Sequence, residues 1–144
     1  MRITIDYDDT LSKPHIQELA KKLIKNHEVY ILTSRWDCLY RKMYKHMKSN
    51  DDLFQTAEEV GIPHRNVIFT NQAMKLEHIV RGRVGIHIDD NKGELDLINS
   101  SSDCKTFSSL DLEIEQDVLE YLKENYKSNN MIVTETTEKY GEEG

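Results

Sequence analysis

Alternating strand-like and helix-like segments predict an α/β domain: a three-layer, doubly wound, mostly parallel sheet of the Rossmann-like kind. Three observations carry that expectation. Short apolar runs recur along the chain, the stretches between them place apolar residues at helical spacing, and several runs end in acids or small hydroxyls. The 144 residues are close to one domain and enough to bury a core.

The first run, Ile3-Thr4-Ile5, leads directly into acids. Ser12 and Pro14 signal a helix start, and Ile16, Leu19, Ala20, Leu23 and Ile24 share one helical face. Val29-Tyr30-Ile31-Leu32-Thr33 is almost continuously apolar, as expected of a strand covered on both faces. Trp36, Leu39, Tyr40, Met43 and Met47 repeat the helical stripe, read as core contacts, until Ser49-Asn50-Asp51-Asp52 breaks it. A short helix then runs to Val60 and stops at Gly61. Val67-Ile68-Phe69 is the third strand, a helix is expected around Gln72 to Val80, and Val84-Gly85-Ile86-His87-Ile88 is the fourth strand. Leu95, Leu97 and Ile98 mark another helical turn, Cys104-Lys105-Thr106-Phe107 a short edge strand, and Ile114, Val118, Tyr121 and Leu122 a last helix. One domain over 1–126 is expected, followed by a polar, acidic and flexible tail over 127–144.

Hydrophobic residues make up 38% and charged residues 31%, an ordinary soluble composition. No apolar run approaches the ~20 residues of a membrane span, and Asp6 comes too early for a signal peptide, so a cytoplasmic protein without a membrane partner is expected. Cys38 and Cys104 show no metal-ligand spacing and read as buried thiols. A net charge of −7 argues against wrapping duplex nucleic acid on charge alone. Bases do gather locally: Arg35, Arg41, Lys42, Lys45, His46 and Lys48 fall within 14 positions, either as a solvated helix face or as a landing surface for a phosphate-rich substrate.

Ligands of doubly wound sheets bind beyond the carboxyl ends of the strands. Those ends deliver Asp6-Tyr7-Asp8-Asp9-Thr10, Thr33-Ser34-Arg35 and Asp89-Asp90-Asn91. Carboxylates gathered in one crevice repel unless a cation shares them, and hard oxygen donors suit Mg²⁺. Asp9 is expected in a turn or helix cap. His15, His27, His46, His64, His78 and His87 show no ligand spacing and read as structural or exposed.

These segments resemble the motifs of the haloacid dehalogenase-like (HAD) phosphohydrolases. An apolar strand followed by Asp-x-Asp-x-Thr stands as Ile3-Thr4-Ile5-Asp6-Tyr7-Asp8-Asp9-Thr10, and an apolar strand ending in Thr stands as Tyr30-Ile31-Leu32-Thr33. A strand ending in paired acids stands as Ile86-His87-Ile88-Asp89-Asp90, and the lone base preceding it is best matched by Lys75, with Arg65 and Arg81 as other candidates. The resemblance covers roughly residues 1–107. It implies that Asp6 is a nucleophile forming an aspartyl-phosphate, and that Asp8 is general acid and then base. Thr10 would orient Asp8 on the substrate side, where Ser34 and Arg35 also lie, with Arg35 offering phosphate a two-pronged contact. Thr33 would bind a phosphoryl oxygen and Lys75 would neutralise growing charge. Mg²⁺ would be held by Asp6, by the main-chain carbonyl of Asp8, and by Asp89 or Asp90.

Only 22 residues separate Thr10 from Thr33 and 41 separate Thr33 from Lys75, which leaves no room for a cap domain. Capless members act on large substrates or take a lid from a neighbouring subunit, so a homo-oligomer is one expected arrangement. The short chain and the Ser34-Arg35 continuation are similar to the phosphatase domain of bacteriophage polynucleotide kinase, implying a nucleotide or a phosphorylated nucleic-acid end as substrate. The acidic net charge keeps a small phosphomonoester open. Two rivals are a receiver domain and a retired enzyme serving as a binding module. A receiver would carry its phosphorylated Asp after the third strand, where this chain has Phe69-Thr70-Asn71.

Overall fold

The computed structural model describes residues 1–37 and 49–125. The stripe from Leu39 to Met47, the bases Arg41 to Lys48, Cys38 and the tail expected from 127 onward lie outside the described residues. Two compact units are present, Met1–Leu112 and Glu113–Gly144. Within the second, residues 114–125 are helical and bury Ile114 and Val118, four positions apart.

In the first unit, β1 (Arg2–Ile5), β2 (Glu28–Thr33), β3 (Val67–Phe69), β4 (Ile86–Asp89) and β5 (Lys105–Ser108) form a five-stranded sheet. Its order is β3-β2-β1-β4-β5 and every pairing is parallel. Helices α1 (Pro14–Leu23), α2 (Asp51–Val60), α3 (Leu76–Arg81) and α4 (Lys92–Ser101) flank it. α1 packs beside α2, and α3 beside α4. The chain winds from β1 toward β3 and later from β4 toward β5, so right-handed crossovers put the two pairs on opposite faces. The expected α/β class and parallel sheet are therefore found, with the reversal of winding between β1 and β4.

Local chemistry explains the helix boundaries. Pro14 opens α1 with φ already set, but Lys13 is the residue before it; Ser12 instead accepts the Asp9 N–H at 3.1 Å. Gly61 ends α2 at φ 101°, and a Cβ there would lie 2.7 Å from Ile24 Cδ1. The helix expected from Gln72 starts only at Leu76, because Asn71 and Gln72 take positive φ (54° and 71°) and turn the chain first. α4 is a full ten residues, capped by Asn91 Oδ1, which accepts the Glu94 N–H at 3.0 Å.

Ile3, Ile5, Ile31, Ile86 and Ile88 are completely buried on one face of the sheet. Leu32 packs on the other with Ile79, Val84, Ile98 and Cys104, whose thiol is free. Burial pushes that thiol up to about 12. Among the described residues, no helix is long and apolar enough to cross a membrane.

Candidate active site

Side chains alternate along a strand, so the isoleucines of β1 and β4 claim one face and Thr4, Asp6, His87 and Asp89 the other. Thr4 stands opposite His87 in the β1–β4 register, and the Asp6 N–H reaches the Ile88 carbonyl at 2.9 Å. Asp6 and Asp89 thus emerge side by side at the winding reversal. Beyond Asp6 the chain makes a tight loop, in which Leu11 N–H bonds the Asp6 carbonyl (3.0 Å) and Ser12 N–H bonds the Tyr7 carbonyl (2.9 Å). Asp8 is extended and Asp9 left-handed at φ 57°, which confirms Asp9 as a turn residue and leaves Asp6 buried while Asp8 is exposed.

Lys75 arrives from the loop before α3. That loop is tied to the end of β2 by Gln72 N–H to the Ser34 carbonyl (2.8 Å) and Asn71 N–H to the Arg35 carbonyl (3.2 Å). Lys75 Nζ donates to Asp6 Oδ1 at 2.8 Å and to Asp89 Oδ2 at 2.7 Å. Arg65 is exposed in the turn before β3 and Arg81 pairs with Glu77 on the surface, so neither takes this place. Burial alone would lower Lys75; the two carboxylates outweigh it and hold the ammonium above its usual value. One cation cannot satisfy both partners equally. Burial, only partly offset by Lys75 and reinforced by the Asp89 charge, pushes Asp6 up to about 8. Burial works against ionised Asp89 as well, but bonds from His87 and Lys75 prevail and hold it below the usual carboxylate range.

Asp90 completes the cluster: carboxylate oxygens of Asp6, Asp89 and Asp90 lie within 4.8 Å of one another. Three hard oxygen donors, one resisting ionisation because it is buried beside the Asp89 charge, fit a metal ion. Asp89 and Asp90 also precede the N-terminus of α4, whose dipole favours negative charge there.

Asp8 lies outside this cluster. Arg35 Nε and Nη2 grip both its oxygens (2.9 and 2.8 Å), while Nη1 and Nη2 grip Asp52 at 2.8 and 2.9 Å. The guanidinium also lies over the Tyr7 ring, 4.9 Å from its centroid. Asn50 Oδ1 accepts from Nη1 at 3.3 Å. These partners hold Arg35 well above its ordinary value, and the Arg35 bond holds Asp52 below its own.

A cavity of about 310 Å³ opens over the site, lined by Asp6, Asp8, Ser34, Met74, Lys75 and Asp90 among others. Asp6, Asp8, Ser34, Lys75, Asp89 and Asp90 thus line one cavity. Three expectations change. Arg35 offers no free fork to a phosphate, because α2 brings Asp52 across it. Thr10 is fully buried and does not line the cavity, and its hydroxyl lies by Asp6 (3.3 Å), Asp90 (3.4 Å) and Ser109 (3.2 Å), so it braces the acid cluster rather than Asp8. Thr33 is fully buried and does not line the cavity; its hydroxyl accepts the Arg35 N–H at 3.2 Å.

Sequence reasoning also missed two partners. His87, read only as structural, bonds Asp89 Oδ2 at 2.8 Å; its position two residues before Asp89 in a strand was the signal. Asp52, read as a helix breaker, had no local signal, since only the packing of α2 brings it to Arg35.

Neither models of known protein families nor curated proteins match the sequence.

Proposed function

We propose that the protein is an Mg²⁺-dependent phosphomonoester hydrolase of the HAD-like, capless kind, working through an aspartyl-phosphate on Asp6. The observation that supports it most is the meeting of Asp6, Lys75 and Asp89 over the point where the sheet reverses its winding, with Asp90 in reach.

In this reading an Asp6 oxygen attacks phosphorus and the bond to the leaving oxygen breaks, while Asp8 gives that oxygen a proton. Asp8, now a carboxylate, takes a proton from water as the water oxygen attacks the aspartyl-phosphate. Inorganic phosphate leaves and Asp6 is restored. The division of labour follows from placement: Asp6 is buried against Lys75, whereas Asp8 faces the cavity mouth with its orientation set by Arg35. Lys75 offsets charge beside the nucleophile, and Ser34 on the cavity wall is the proposed donor to a phosphoryl oxygen. Asp6, Asp89, Asp90 and the Asp8 main-chain carbonyl would hold Mg²⁺, which when bound supplies the positive charge this acid-rich site lacks. The proposed substrate is a nucleotide or phosphorylated nucleic-acid end, taken up by a cytoplasmic enzyme.

The test is phosphate release from aryl phosphates, nucleoside 5′- and 3′-monophosphates, sugar phosphates and end-phosphorylated oligonucleotides, with Mg²⁺ and with chelator. Release is expected only with metal, and Asp6→Asn should reduce it to background. Equal rates in Asp6→Asn, or release that survives chelation, would overturn the mechanism. A preference for sugar phosphates would redirect the substrate to small metabolites. Silence from folded, metal-binding protein would leave a binding module in the enzyme's place.

A further inference from the structure

The polar row beneath the acids does more than fill the sheet. His87 is completely buried and Thr4 nearly so, and neither lines the cavity. Thr4 Oγ1 lies 2.7 Å from His87 Nδ1, and His87 Nε2 lies 2.8 Å from Asp89 Oδ2, the oxygen that also receives Lys75 Nζ at 2.7 Å. Asp89 Oδ1 accepts the Asn91 N–H at 3.1 Å.

We propose that Thr4 and His87 form a buried positioning relay that locks the Asp89 carboxylate in its metal-binding orientation. It rests on the metal-site reading above and gives a role to two residues that the motifs leave without one. An ionised Asp89 has no hydrogen to give, so Nε2 must donate to it. A neutral imidazole with its hydrogen on Nε2 leaves Nδ1 as an acceptor, and among the described residues Nδ1 is paired with the Thr4 hydroxyl, which therefore donates. Asp89 thereby selects the tautomer, and the Thr4 hydroxyl, able to donate or accept, completes it by donating to Nδ1. With the opposite tautomer, a ring lone pair would face the carboxylate at 2.8 Å. Two donors on Oδ2 and one on Oδ1 stop the carboxylate from rotating while leaving a lone pair on Oδ1 for a cation. Partners of this kind, one bond behind a metal ligand, orient it and raise its affinity.

Two measurements on the full chain test the relay. Two-bond ¹H–¹⁵N correlation of ¹⁵N-histidine protein should show His87 with its hydrogen on Nε2, and Thr4→Val, which keeps the side-chain shape, should leave the hydrogen there while shifting the Nδ1 resonance as its hydrogen bond is lost. Mn²⁺ titration followed by the EPR signal of the free ion should show His87→Leu weakening the Kd about 10- to 100-fold, with part of that loss in Thr4→Val. His87→Gln, whose amide N–H can reach Asp89, should recover most of it, which a merely space-filling role would not produce. Should His87→Leu fail to fold, Thr4→Val and His87→Gln carry the test. A ring protonated on Nδ1 alone, a doubly protonated ring, or unchanged Mn²⁺ affinity in folded His87→Leu or Thr4→Val would overturn the relay. Wild type that binds no Mn²⁺ would overturn the metal reading and the relay together, whereas normal wild-type binding with unaffected variants removes the relay alone.

Discussion

Two cations at the mouth of the sheet each hold two carboxylates, one in a dry place and one in a wet place. Lys75 has a side chain 4% exposed, and its partners Asp6 and Asp89 are 8% and 1% exposed. Arg35 is 14% exposed, but its partners Asp8 and Asp52 are each 54% exposed. Around Lys75, burial dominates and drives Asp6 up to about 8 despite an ammonium 2.8 Å away. Around Arg35, water screens the excess negative charge, and the Arg35 bond lowers Asp52. The same ratio of charges therefore gives a site that wants another cation where it is dry, and a rigid brace where it is wet.

That contrast can be broken by removing each cation in turn. Lys75→Met leaves two buried carboxylates without their partner and should destabilise the metal-free protein by about 3–5 kcal/mol; chemical denaturation with and without Mg²⁺ would show the metal recovering part of the loss. Arg35→Met should cost little stability, about 0–1 kcal/mol per exposed pair. Its effect should be on turnover, down about 100-fold through a displaced Asp8. The loss should concentrate on alkyl phosphates and shrink for dinitrophenyl phosphate, whose leaving group needs no proton. Equal losses on both substrates would break the link between Arg35 and proton donation.

The pH dependence of stability sharpens the difference further. Asp6 is raised from 3.8 to about 8, so between those values the metal-free native state keeps a proton that the unfolded chain has released. Its contribution is full below about pH 4 and is lost as pH rises through about 8. Asp89 is depressed, so its contribution has the opposite sign, present above 3.8 and lost as pH falls below it. Thermal melts in chelator should therefore show wild type losing stability relative to Asp6→Asn from pH 5 to pH 8. A constant difference would mean that Asp6 ionises normally. The smallest effect is expected from Asp52→Asn, which keeps an oxygen acceptor for Arg35. A loss of about 0–0.5 kcal/mol and a few-fold fall in turnover, on alkyl phosphates first, would mark it as the outer end of the brace.

Much of this was legible from residue patterns. Val67–Phe69 is the predicted third strand residue for residue, and β1, β2, β4 and β5 lie within two residues of their expected positions. Continuous apolar runs leave few alternatives when both sheet faces are covered. Asp6, Asp8, Asp89 and Asp90 were also legible, because strand ends in this architecture open on one crevice, and Lys75 came only from the resemblance. The start of α3 was misread, since positive φ at Asn71 and Gln72 carries no strong residue signal. Arg35 was misread for a different reason. An arginine after Thr33-Ser34 is equally suited to a phosphate and to carboxylates, and its partner Asp52 lies 17 positions away.

Sequence alone determined the element order, the parallel sheet and the set of acids available at its carboxyl edge, because periodicity and strand-end composition are local properties. Tertiary structure decided which of those acids share Lys75 and which share Arg35, and that Thr10 and His87 support the cluster from beneath. It did so because burial, which sets the energy of each charge, depends on what α2, α3 and β4 bring together across tens of residues.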